Sequence, residues 1–136
     1  MSENPVEAFA RAMEFEESVK RILRKDSRYA RNAYVFAFQG LDFTMRETLG
    51  LGDGERRHVS AEEMLRGMKE CAINEYGDMA RHVWEDWGIY STLDWGNIIF
   101  NLIDANLMHA NQDDRIEDFA GVYDFDQAFA PLDAKS

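Results

Sequence analysis

A single cysteine, Cys71, is the only thiol in this chain, so no internal disulfide is available and a packed apolar core must hold the fold. It sits between Met68 and Ala72 at helical spacing, with no base or cation on that face, which reads as half-buried packing rather than a reactive group. No run of about 18 apolar residues exists to span a bilayer, and the N-terminus lacks the basic-then-apolar layout of a signal peptide. A cytoplasmic location with no membrane contact is the expectation. Positive charge is also scarce, with 15 Lys and Arg against 26 Asp and Glu and a net charge of −11. From His82 onward eleven acids face only Arg115 and Lys135, which argues against a nucleic-acid partner there, since such affinity comes mostly from cations on phosphates. The signatures of catalysis are missing too. No serine has a GxSxG context, the glycines at 50–54 lack the GK[ST] ending of a phosphate loop, and no acid pair is marked as catalytic. Neither an enzyme activity nor a cofactor is expected.

What the chain does have is apolar content: 46% of 136 residues, with nine Phe and three Trp, enough for one folded domain over 1–136 despite the charge. All three tryptophans fall between Met79 and Leu107. Within that stretch Met79, Ala80, Val83, Trp84 and Trp87 make one face of a helix that Gly88 ends. Ser91 or Thr92, with Asp94 behind it, then starts a second helix whose apolar arc, from Leu93 and Trp95 through Ile98, Ile99, Leu102 and Ile103, covers over half the cylinder. Such a helix belongs in the middle of the fold.

Upstream, Pro5 opens a first helix that carries its acids early (Glu7, Glu14, Glu16, Glu17) and its bases late (Lys20, Arg21, Arg24, Lys25), as the helix dipole favours. The spacing pairs Glu16 with Lys20 and Glu17 with Arg21. From Tyr29, aromatics and Val in sequence suggest a strand, but Tyr34, Ala37, Phe38, Leu41, Met45 and Leu49 keep helical spacing for four turns, too long for one. Gly40 inside this helix marks close approach of another. Ser60 and Glu63 form a capping box for a helix to Tyr76, closed by Gly77.

These signals predict a mainly α bundle of about five helices, near residues 5–25, 29–49, 61–76, 79–87 and 92–108. An extended or short β-hairpin segment follows, with a winged-helix-like arrangement as one form of the C-terminal half. Residues 113–136 form an acidic, aromatic tail. Within it Phe119, Tyr123, Phe125 and Phe129 are the candidates for binding a partner, and detachment of the tail, held by ions at the basic end of helix one, is the expectation to test.

Of the three histidines only His82 has acidic company. Asp78, His82 and Asp86 lie four apart on one helix face, a conceivable transition-metal site, although such spacing is also ordinary on a solvated polar face and no second element adds ligands. The acids Asp113, Asp114, Glu117, Asp118, Asp124 and Asp126 lack the order of a calcium loop.

The strings HVSAEEMLRGM, WGIYSTLDWGNIIFNLIDANLM and DFAGVYDFDQAF resemble a family of short, uncharacterised bacterial proteins described mainly from planctomycetes and verrucomicrobia, over roughly residues 28–129. The resemblance implies a stand-alone bacterial domain and carries no activity or site residue with it. Two binding readings follow from the residues. One is a protein-interaction or regulatory module, engaging a protein partner or a second copy. The other is a divergent winged-helix nucleic-acid binder, whose recognition helix, 92–107, would contain no Lys or Arg.

Overall fold

Asn4 opens the first helix by accepting from the Glu7 N–H at 2.8 Å, and Pro5 takes the first helical position, where its missing donor costs nothing. The computed structural model describes residues 4–130 except 53 and 56, so the last six residues of the expected tail lie outside the described part. Helix α1 spans Pro5–Lys25. Helix α2 spans Arg31–Phe43 and continues as a π-helical turn over Thr44–Thr48. The capping box of Ser60 and Glu63, at 3.1 and 3.0 Å, starts α3 over Ala61–Tyr76. Gly77 ends it at φ +56° and leads through a 3-10 turn, Gly77–Met79, into α4, Ala80–Asp86. Asp94 accepts from the N–H groups of Tyr90 and Ser91 to start α5, Thr92–Asp104. A 3-10 turn, Ile116–Phe119, and a one-turn helix α6, Phe125–Ala128, complete the fold.

The five expected helices are α1 to α5. The expected hairpin is not: no strand occurs among the described residues, and the segment Val122–Phe125 leads into α6 instead. Asp124 supplies the reason, since its carboxylate accepts from the Asp126 N–H at 2.7 Å and caps a helical turn. Without a wing, and with Trp95, Ile98, Ile99 and Leu102 of α5 buried, the winged-helix arrangement does not stand. Among the described residues no helix is long and apolar enough to cross a membrane.

Two pairs of small and large residues let α2 and α3 touch. A Cβ on Gly40 would fall 2.7 Å from Met68 Cγ, which accounts for that glycine, and a Cβ on Gly67 would fall 2.9 Å from the backbone Cα of Thr44. The widened π turn sits at this closest approach, with the Thr44 hydroxyl donating back to the Gly40 carbonyl at 2.6 Å.

Trp84 and Trp95 meet edge to face at 5.3 Å in the centre of the core, and Phe36 of α2 lies 6.1 and 5.7 Å from their rings. Both indoles are fully buried, and their N–H groups reach no acceptor among the described residues.

Candidate functional site

Polar contacts first fix α5 against the α1–α2 connection. Asp26 accepts from the Arg28 guanidinium at 2.8 and 2.9 Å, from the Arg28 N–H, and from the Asn101 amide of α5 at 3.0 Å. The same Asn101 amide donates to the Tyr34 hydroxyl, while Tyr29 donates to Asp94 at 2.5 Å. Burial, then this bond to the carboxylate, pushes the Tyr29 phenol up to about 12. The Arg28 guanidinium holds the Asp26 carboxyl well below the usual range, with Asn101 adding to it. A carboxylate lowered in the folded state stabilises it above the unfolded value, near 4, and that contribution is lost as pH falls toward the folded value. Asp26→Asn should therefore lower the urea midpoint at pH 7 and flatten its decline between pH 4 and 2. An acid limb as steep as that of the unaltered chain would count against this network.

With α5 held, the elements around its C-terminal half leave an open cleft of about 560 Å³. Phe38 and Leu41 of α2, Met64 of α3, Ile99 and Ile103 of α5, and Phe119 form its apolar walls. Met45, Leu107 and Met108 line it as well. Helix α5 ends at Asp104, and Asn106, in the left-handed region at φ +61°, turns the chain so that Leu107 and Met108 fold back beside it. Around the mouth stand Arg57, His58, His109 and Arg115, together with Asp42, Asp114 and Asp118. His58 Nε2 lies 3.2 Å from Asp114, an ion pair whenever the imidazole is protonated. Arg57 is bound to Glu63 at 2.8 Å, which lowers the Glu63 carboxyl to about 2, with the Ser60 N–H adding to the effect. Arg115 makes no ion pair among the described residues and leaves a free cation at the rim. A concave apolar seat of this size with a few polar groups at its edge is suited to holding an apolar group by burial and orienting it by charge.

The tail does not stand off from this body. Phe119 and Phe125 are each 5% exposed, and Phe125 and Phe129 pack on Trp84 at 5.7 and 5.1 Å. Tyr123 donates to the Leu65 carbonyl at 2.9 Å, Lys69 sits over its ring, and burial raises its phenol. Arg81 of α4 binds Asp126 at 2.6 Å, so the tail's cation comes from α4 and not from the basic end of α1. Of the four aromatic candidates, Phe119 alone lines the cleft, while Tyr123, Phe125 and Phe129 serve the core. A Cβ on Gly96 would lie 2.8 Å from Phe119 Cβ and 3.2 Å from the Ile116 carbonyl. Gly96→Ala should thus displace the Ile116–Phe119 turn at a cost of about 1–3 kcal/mol. Hydrogen exchange checks it: amides 116–129 should lose protection more than those of α5, and a uniform loss would refute a local displacement.

The metal candidates do not converge. Asp78 lies in the 3-10 turn before α4, outside the helix that carries His82 and Asp86, and all three are exposed. Among the described residues no group of three or more His, Cys, Asp or Glu side chains is placed to hold a metal ion. The tail acids serve their own turns instead: Asp114 accepts from the Asn111 N–H, Asp118 from that of Arg115, and Asp124 from that of Asp126. Cys71 packs as expected but is buried rather than half-buried, and burial pushes its thiol up, away from reactivity. Many of the scattered cations are already engaged, Arg28 by Asp26, Arg31 by Glu16 and Arg46 by Asp42. Glu16 was expected to meet Lys20 and Glu17 to meet Arg21, but Arg31 takes Glu16 across the helix pair, leaving Lys20 with Glu17 at 3.5 Å and Arg21 on Ser18.

Sequence reasoning placed Phe38, Leu41 and Met45 on a helical stripe and Ile99 and Ile103 on the apolar arc of a central helix, and so missed the cleft that they line. One signal was present, the apolar pattern of 93–103 resuming at Leu107 and Met108 beyond the end of α5. The chain matches no known protein family, no curated protein and no solved structure.

Proposed function

We propose that this domain is a protein-interaction module that seats the apolar face of a partner's amphipathic helix in the cleft between α2, α3 and α5. The observation that carries the reading is the cleft itself: buried and half-buried Phe, Leu, Ile and Met side chains from separated segments surround one volume of about 560 Å³. Three helical anchors at i, i+3 and i+7 fill a seat of this kind. Its floor rests on α5, whose buried face is locked to the tryptophan core, so little ordering is left for binding to supply.

Selection from a displayed library of amphipathic helices tests the reading. Selected helices should bind in the micromolar range, shift amide signals of residues 99–108, and lose at least tenfold in affinity on Met108→Asp. Helices that perturb a different face, or affinity unchanged in Met108→Asp, would overturn it. Signals shifted at the cleft by small amphipathic molecules alone would move the reading to a small-ligand site, for which the volume is also sufficient.

A further inference from the structure

Helix α1 has two apolar faces that point in different directions. Its second half packs on the body through Phe15, Val19 and Ile22, whereas its first three turns are exposed throughout, with Val6 78%, Phe9 68% and Met13 50% accessible. At about 100° per residue the Val6, Phe9 and Met13 face lies roughly 150° from the buried one. The helix is continuous from Pro5 to Lys25, so it cannot turn that stripe toward its own body without unwinding.

We infer that this stripe is the occupant of the cleft in a second copy of the chain, and that two copies exchange their α1 helices about a twofold axis. This rests on the cleft being a helix seat, as proposed above, and names what fills it. Val6, Phe9 and Met13 stand at i, i+3 and i+7, the anchor spacing of a helix lying in an apolar groove. Ala10 and Ala12 lie on either side of the stripe and let the helix approach closely. Phe15 packs on Phe38 at 5.6 Å, and Phe38 lines the cleft, so the free half of α1 leaves the body beside the chain's own seat. That placement sets the two exchanges side by side, as a closed dimer requires. Size decides against the simpler pairing of α1 with α1. Three large side chains per copy fall far short of the roughly 20–30 residues a side of a stable interface, whereas exchange adds the cleft walls to the surface that each copy buries.

Sedimentation equilibrium of the full chain tests this, with circular dichroism confirming that each variant is folded. The unaltered 15.7 kDa chain should run as a dimer at tens of micromolar. Phe9→Asp, at an exposed position, and Met108→Asp, at the rim, should each raise the dimer dissociation constant at least tenfold. Mixed together they should form a heterodimer, because the α1 of the Met108→Asp chain still finds an intact cleft in the Phe9→Asp chain. A monomer at 100 µM overturns the inference, as does a Met108→Asp chain that still dimerises, or a mixture that stays monomeric. Foreign helices that still bind the cleft of the Phe9→Asp monomer would leave the proposed function standing while the exchange fails, so the two are separable.

Discussion

Gly88→Ala should be among the most damaging single substitutions in this chain, lowering the melting temperature by about 10–20 °C, equivalent to about 3–5 kcal/mol for a domain of this size. Two effects combine. Gly88 sits at φ +94°, where an L side chain is strained, and a Cβ there would fall 2.3 Å from the Arg28 carbonyl oxygen. That oxygen belongs to the backbone, and the neighbouring Ala30 N–H donates to the Trp87 carbonyl at 3.0 Å, so neither strand of chain is free to withdraw. Gly54→Ala isolates the first effect, because Gly54 has φ +82° with nothing within 4 Å of the added carbon. It should cost only about 1 kcal/mol. Equal losses for the two variants, measured by thermal and urea unfolding, would show that the contact with Arg28 is unimportant.

Trp84→Ala should remove about 3–5 kcal/mol, a large share of the 5–15 kcal/mol typical of a domain. The Trp84 ring touches Phe36 of α2, Trp95 of α5, and Phe125 and Phe129 of the tail, so its loss opens a cavity at the junction of four segments. Trp87, half-buried at the edge against Phe36 and Tyr76, provides the comparison. Trp87→Ala should lose less than half as much and leave the tail protected, whereas Trp84→Ala should raise exchange at amides 122–129 disproportionately. Similar losses in both, with unchanged tail protection, would remove Trp84 from the centre of this account.

The tail shows why some of this was legible in residues and some was not. Its aromatic and acidic composition marked Phe119, Tyr123, Phe125 and Phe129 as apolar surface in need of cover, which is a statement about hydrophobicity. Whether cover comes from a partner or from the chain's own Trp84 and Leu65 depends on how far the tail folds back, and composition contains no such distance. The hairpin expected there failed similarly, because Asp124 capping a single turn competes with strand propensity only once Phe125 and Ala128 are given a core to enter.

By itself the sequence determined the five longer helices and, the C-termini of α2 and α5 apart, their approximate ends, because those depend on neighbours a few residues apart: the capping box of Ser60 and Glu63, the positive φ of Gly77 and Gly88, and the order of charge along α1. It also determined which faces are apolar, through the 3.6-residue period, and hence the buried positions of α3 and α5. Tertiary structure alone decided the pairings between distant segments. Arg31 with Glu16, Arg81 with Asp126 and Tyr29 with Asp94 join positions 15 to 65 residues apart, where nothing local favours one carboxylate over another. The cleft was decided at that level too. It exists where apolar faces of α2, α3 and α5 fail to close on each other, and a residue's hydrophobicity is the same whether its neighbour arrives or stops short.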